Sequence, residues 1–208
     1  MKRTLFTLGL AASSLLAGCM VGDPGLSLDD QLSFEEFKSL AYHEPFEDGV
    51  YIINGDTPVV NDKALYEEWL AIYGGAELIV NTSGGIDTKW NDTQKLNLTY
   101  CISNNFGANK SKVVAAMAAA TDQGWEVRGN VNFIYLSAQD ASCTASNTNV
   151  VFDVRPVNVN GQYLARAFFP NNARSSRNVL IDNTAFDPSL TWPLKNILGH
   201  ELGHALGF

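Results

Sequence analysis

The chain has 208 residues, of which 46% are hydrophobic and 17% are charged, and no long polar or low-complexity tract interrupts it. This composition is typical of one or two globular units with a sizeable core. The formal net charge is −8 and no basic stripe is present, which argues against nucleic acid as a partner.

Residues 1–18 have the form of an export signal. Lys2 and Arg3 precede an apolar stretch that is shorter than the roughly 20 residues a membrane-spanning helix needs. The four residues that end in Cys19 (LAGC) resemble the lipobox of bacterial lipoproteins. The resemblance implies cleavage before Cys19, lipidation of Cys19 and anchoring at the cell envelope, on the outer membrane or the cell surface. Ordinary secretion is the alternative, because small residues before a cysteine also occur at general cleavage sites.

Residues 19–32, rich in Gly, Pro and Asp, are interpreted as a tether, and residues 33–86 as a small separate region. Ser33 and Glu36 have the spacing of a capping box, which predicts a helix that ends near Pro45. A strand over 50–53, a turn over 54–56 and a second helix over 63–73, ended by Gly74 and Gly75, are expected next. The Ser-Gly-Gly sequence at 83–85 marks the predicted boundary.

Residues 87–208 alternate between strand and helix patterns. Strands are predicted over 96–103, 131–136, 150–154, 164–169 and 179–181, and helices over 112–125 and 193–206. This order predicts an α+β (mixed α/β) fold in which a sheet is covered by two helices.

Cysteine usage agrees with export. With Cys19 modified, Cys101 and Cys143 remain as an even pair in a compartment that permits oxidation, so we expect a disulfide. A catalytic thiol is the alternative. It would need a histidine partner, and the chain has only His43, His200 and His204.

The last predicted helix carries the pattern HExxH. Two histidines four residues apart, His200 and His204, project from one face of a helix and can share a metal ion. Glu201 can then reach a water on that metal and act as general base. The pattern also arises by chance on charged helices. Against chance, Glu201 falls within the apolar stripe of this helix, where an unpaired carboxylate is costly, and Gly207 stands where the chain would turn back toward the metal.

The string HELGHALGF resembles the first nine residues of the metzincin motif HExxHxxGxxH. It is most similar to the bacterial dual-action HEIGH metallopeptidases, with astacin and matrixin types next, and segments 87–90, 98–101 and 165–170 extend the resemblance over 87–208. The resemblance implies a twisted, mostly parallel sheet with one antiparallel edge strand and two helices. It also implies a zinc endopeptidase acting on proteins, with one catalytic Zn²⁺ on His200 and His204 and with Glu201 as base.

The family pattern has further implications for this chain. The third zinc ligand and a methionine turn are expected beyond Phe208, so a fragment that ends there is expected to bind zinc weakly and to cleave nothing. Ala165, Arg166, Ala167 and Phe168 correspond to the edge strand that aligns a peptide substrate by strand addition. Matrixins carry a histidine for a second, structural zinc where Arg166 stands, so no structural zinc is expected there.

Gly55 and Asp56 resemble part of the Phe-x-Gly-Asp motif of astacin propeptides, although Ile53 replaces the phenylalanine. In that motif the aspartate takes the fourth zinc position and keeps the zymogen latent, so 33–86 is interpreted as a pro-like region and Asp56 as its latency switch. A plain turn is the alternative.

Two other functions compete with proteolysis. An envelope lipoprotein could use the scaffold to bind a peptide or matrix without turnover, but such a binder has no use for Glu201. A structural metal site would need four protein ligands, and the motif supplies two.

Overall fold

The computed structural model describes residues 32–46, 49–73 and 80–208. The predicted signal peptide, Cys19 and nearly all of the tether lie outside these residues, as do Gly74 and Gly75. Among the residues described, no helix combines the length and the apolar character that crossing a bilayer requires.

The first helix, α1 (Phe34–Leu40), begins at the predicted capping box. The Ser33 hydroxyl accepts a hydrogen bond from the Glu36 amide at 3.3 Å, and the Glu36 carboxylate accepts one from the Ser33 amide at 2.9 Å. The helix ends before the predicted Pro45, because Ala41 is extended and the chain enters a strand at once. The start of this helix could therefore be predicted, whereas its end is set by strand pairing.

A small antiparallel sheet follows, in the order β1 (Tyr42–His43), β2 (Tyr51–Ile53) and β3 (Thr57–Val59). The predicted turn joins β2 to β3. Asn54 and Gly55 have positive φ angles of 52° and 95°, and the Asp56 amide donates to the Ile53 carbonyl at 3.1 Å. The turn places Asp56 at the tip of this hairpin.

The helix α2 (Asp62–Tyr73) and a short hairpin complete the pro-like region. The hairpin pairs β4 (Thr82–Ser83) with β5 (Ile86–Asp87), and Gly84 and Gly85 turn between them with positive φ. The predicted boundary near 86 thus falls in this hairpin. Residues 32–208 form one compact unit, so the pro-like region packs on the rest of the chain.

The remaining residues form a five-stranded sheet and two long helices, which confirms the predicted fold class. The strands are β6 (Leu98–Ile102), β7 (Phe133–Tyr135), β8 (Phe152–Val157), β9 (Ala165–Arg166) and β10 (Asn178–Asp182), in the order β7-β6-β8-β10-β9. All neighbouring pairs are parallel except β9 with β10. The helices α3 (Lys110–Ala120) and α4 (Leu194–Leu206) pack on each other and share one hydrophobic core with the sheet.

Two elements of this region end well before their predicted ends. The strand predicted over 164–169 is reduced to Ala165 and Arg166, because a tight turn joins Phe169 to Asn172 through their backbone and the Asn172 side chain. The helix predicted over 112–125 loses regular α geometry after Ala120 and continues as a π-helical turn to Trp125. The Thr121 hydroxyl bonds back to the Met117 carbonyl at this point, a contact that disturbs the regular ladder.

Cys101 on β6 and Cys143 are buried and joined by a disulfide across 42 positions of the chain. The bond ties the central sheet to the segment between β7 and β8. A link of this length restricts the unfolded chain substantially.

We predict that replacing both cysteines, Cys101→Ala with Cys143→Ala, lowers the free energy of unfolding by about 2–5 kcal/mol. Urea denaturation of the variant and of oxidised protein measures the difference. Reduced wild type serves as the control and should lose a similar amount. An unchanged denaturation midpoint would contradict the prediction.

Candidate metal centre

Helix α4 positions the three residues of the HExxH pattern. Its buried face carries Ile197, Leu198, Leu202 and Ala205, and Glu201 lies within that face with 2% exposure. One turn separates His200 from His204, so their rings lie side by side with centroids 4.8 Å apart and planes at 86°.

The end of α4 fixes the orientation of His204. Gly207 closes the helix in the left-handed conformation, with φ of 108°, and its amide donates to the Gly203 and His204 carbonyls. This turn brings the Phe208 carbonyl to 2.8 Å from His204 Nδ1. Because a carbonyl only accepts, Nδ1 carries the proton, and the lone pair of Nε2 is left for a ligand.

Only glycine fits at Gly207. A Cβ on this residue would lie 2.2 Å from the Thr88 carbonyl oxygen, and a positive φ disfavours every other side chain. The residues next to β5 are therefore packed directly against the end of the helix that carries the histidines.

Two tryptophans hold α4 in place, and the sequence patterns did not reveal either contact. Trp90 Nε1 donates to the Ala205 carbonyl and Trp125 Nε1 to the Gly199 carbonyl, each at 2.7 Å. Trp125 also stacks on Phe208 with ring centroids 5.6 Å apart. A buried tryptophan is expected to seek an acceptor, but its spacing in the sequence does not indicate which one.

Asp56 reaches this centre from the pro-like region. Its Oδ2 lies 2.9 Å from His200 Nε2, and its Oδ1 lies 3.7 Å from His204 Nε2, which is too long for a hydrogen bond. Burial alone would raise the pKa of Asp56, but the two histidines outweigh it and lower that pKa. One ligand atom from each of the three residues lies within 4.8 Å of the others.

The polar atoms at this centre fit a cation. Among the described residues, Glu201 Oε2 and His204 Nε2 are buried without a hydrogen-bond partner, a costly state for a polar atom. Burial raises the pKa of Glu201 well above its usual range; the charge on Asp56 adds to this effect and Arg166 opposes it. Imidazole nitrogens with a carboxylate oxygen are ligands that Zn²⁺ prefers.

A cavity of about 390 Å³ opens beside His200. His200 and Glu201 line it from α4, Leu164 and Ala165 line it from the edge of the sheet, and Asp56 lies at its boundary with the pro-like region. The cavity thus joins the candidate metal centre to the strand that was predicted to align a peptide.

The predicted substrate strand is only partly available in this structure. Ala165 and Arg166 form β9, whereas Ala167 and Phe168 lie outside the strand and are buried in the core. The Arg166 side chain is buried as well and pairs with Glu44 of the pro-like region at 2.8 Å. Glu44 had no distinguishing signal in the sequence, because a single acidic residue near a proline is unremarkable.

Comparison with known proteins identifies the family. A family model described as Matrixin matches residues 89–208, which is more than half of the chain and includes the five-stranded sheet, α3 and the HExxH helix α4. No curated protein shows significant similarity. The chain belongs to the matrixin family of metzincin metallopeptidases.

Proposed function

We propose that the protein is a zinc-dependent endopeptidase made as a latent precursor, in which Asp56 covers the metal centre. The convergence of Asp56 with His200 and His204 carries this proposal, since their ligand atoms lie within 4.8 Å of one another. Matrixins use a catalytic zinc and the family implies protein substrates.

His200 and His204 would hold the zinc through Nε2, and in the precursor Asp56 would add a carboxylate oxygen. Bound zinc supplies a Lewis acid that polarises the scissile carbonyl and lowers the pKa of water. The Phe208 carbonyl keeps His204 in the tautomer that binds a metal through Nε2.

Glu201 has the position of a general base. It follows His200 directly and lies beside the cavity, so its carboxylate can take a proton from the attacking water and pass it to the leaving amine. Burial holds the pKa of Glu201 high, and a cation beside it lowers that pKa again. The base would therefore be ionised when the histidines hold a metal. A binding protein without turnover would gain nothing from this buried acid.

Asp56 accounts for latency. It comes from a turn that stands outside the matched family region and contacts the exposed side of the histidine pair. A substrate carbonyl would need that same side, because the opposite face of α4 is packed into the hydrophobic core. Activity would then require that the pro-like region leave or move.

Within the metzincins, the string HELGH supports a relation to the dual-action HEIGH metallopeptidases, which it resembles. The lipobox at Cys19 supports a separate proposal, that the protein is exported and anchored at the cell envelope. Both statements rest on sequence patterns, and Cys19 lies outside the described residues.

We expect Asp56→Ala, in a precursor that includes all three zinc ligands of the metzincin motif, to raise peptide hydrolysis on the order of tenfold, because removing about 1.4 kcal/mol of inhibitory binding changes occupancy by that factor. A quenched fluorescent peptide measures the rate before any cleavage of the chain. Asp92→Ala is the matched control, since Asp92 is 96% exposed and pairs with Lys95 away from the histidines. Equal latency in the two variants would remove Asp56 from the mechanism.

Glu201→Gln, introduced into the Asp56→Ala precursor, should lower hydrolysis by about 10²-fold or more and leave the zinc content near that of its parent, since a general base contributes about that much. Metal analysis and the peptide assay are run on the same samples. His200→Ala is the comparison variant and should lose both zinc and activity. Undiminished hydrolysis in Glu201→Gln would show that the base lies elsewhere.

The anchoring proposal predicts that radiolabelled fatty acid is incorporated into the exported protein and that Cys19→Ala abolishes the label. The reason is that the lipobox cysteine supplies the sulfur to which lipid is attached. Cys143→Ala controls for loss of a different cysteine and should retain the label. Label that persists in Cys19→Ala would refute acylation at this residue.

A further inference from the structure

We propose that Tyr163 and Arg166 form a subsite for an acidic side chain of the substrate, which Glu44 occupies in the precursor. The inference rests on the proposed peptidase function and adds a class of substrate to it. The pro-like region would then cover two sites in the precursor, the metal centre and this subsite.

The subsite is built around the Glu44 carboxylate. Arg166 donates from Nε to Glu44 Oε1 and from Nη2 to Glu44 Oε2, both at 2.8 Å, and the Tyr163 hydroxyl donates to Oε1 at 2.7 Å. This two-pronged pairing of a guanidinium with a carboxylate is strong and directional. The donors belong to the matrixin region, whereas the acceptor belongs to the pro-like region.

The donors are held in place by contacts that do not involve Glu44. Arg166 Nη1 donates to the Asn178 side chain at 2.5 Å and to the Ala167 carbonyl at 3.3 Å. With the pro-like region in place, Arg166 and Tyr163 are each only 3% exposed. Burial, reinforced by the bond to Glu44, raises the pKa of Tyr163, so the hydroxyl remains a donor. The guanidinium therefore keeps its orientation when the carboxylate is removed.

Departure of the pro-like region would leave this cation without its partner. The guanidinium would then be uncovered but still oriented by Asn178 and the Ala167 carbonyl, so it favours another carboxylate that can pair with it in the same two-pronged geometry. An Asp or Glu side chain offers the same group that Glu44 presents. An amide or an apolar side chain cannot neutralise the charge.

The position of the subsite connects it to substrate binding. Arg166 is the neighbour of Ala165 on β9, with their Cα atoms about 3.8 Å apart, and Ala165 lines the cavity that also contains His200 and Glu201. β9 is the last strand in the order of the described sheet. A peptide that lies along this edge would pass Arg166 within a few residues of the scissile bond.

The first arm of the test removes the occupant and returns only its carboxylate. Glu44→Ala lacks the CH₂ and the carboxylate, and acetate supplies both groups. Saturating acetate should therefore raise the melting temperature of this variant by about 2–4 °C above its value in chloride at the same concentration. Wild type and the double variant Glu44→Ala with Arg166→Met should show no such difference. Equal melting temperatures in acetate and chloride for Glu44→Ala would overturn the subsite.

The second arm measures substrate preference in the full-length precursor that carries Asp56→Ala with Glu44→Ala. Peptide pairs differ only by Glu or Gln, placed in turn at each position around the scissile bond. We expect about a tenfold higher kcat/KM for Glu at one position, the value of one charge-assisted interaction. Adding Arg166→Met should abolish the preference, whereas Lys89→Met, which removes a 74% exposed cation, should retain it.

The two proposals fail in different ways. Hydrolysis of every peptide pair at equal rates would overturn the acidic subsite and leave the peptidase function intact. Absence of hydrolysis from all peptides would overturn the peptidase function and the substrate assignment together. Should Glu44→Ala not fold, Glu44→Ser takes its place in the second arm, because its short polar side chain also leaves the subsite empty.

Discussion

The way in which α4 ends determines the rest of the site. The left-handed Gly207 turns the chain so that the Phe208 carbonyl accepts a hydrogen bond from His204 Nδ1, and this bond leaves the lone pair of Nε2, 3.7 Å from Asp56 Oδ1, free for a ligand. The Thr88 carbonyl is packed so closely on Gly207 that no other residue fits. The two imidazoles of α4 can therefore face one metal ion because the segment after β5 packs against the C-terminal end of this helix.

The pro-like region contributes negative charge where the matrixin region has positive or metal-binding groups. Asp56 meets the histidine pair and Glu44 meets Arg166, while Val50 and Ile52 pack with Val159 and Tyr163 between them. Polar pairing alone is a weak source of stability, because desolvation offsets much of the attraction. The apolar contact holds the region in place, and the two carboxylates determine which sites it covers.

The sequence predicted the fold class and most elements because hydrophobic periodicity and caps are local signals. Ser33 and Glu36 marked the start of α1, and HExxH placed His200, Glu201 and His204 together on α4. Asp56 was singled out by a motif, but its distance from the histidines depends on packing between distant segments. Glu44 could not be predicted, since its partners Tyr163 and Arg166 lie more than a hundred positions away and no local pattern links them. The shortening of the 164–169 strand likewise follows from a turn at Asn172, which periodicity does not reveal.

The central claim is that His200, His204 and Asp56 are zinc ligands in the precursor. Crystal structures of the zinc-loaded precursor and of its Asp56→Ala variant, with the metal located by anomalous diffraction at the zinc edge, test this most directly because they show the ligands themselves. The claim predicts zinc on both histidines in the two structures, with an Asp56 carboxylate oxygen on the metal in the wild type and a solvent oxygen there in the variant. Zinc bound away from the histidines, or a wild-type metal that Asp56 does not contact, would contradict it.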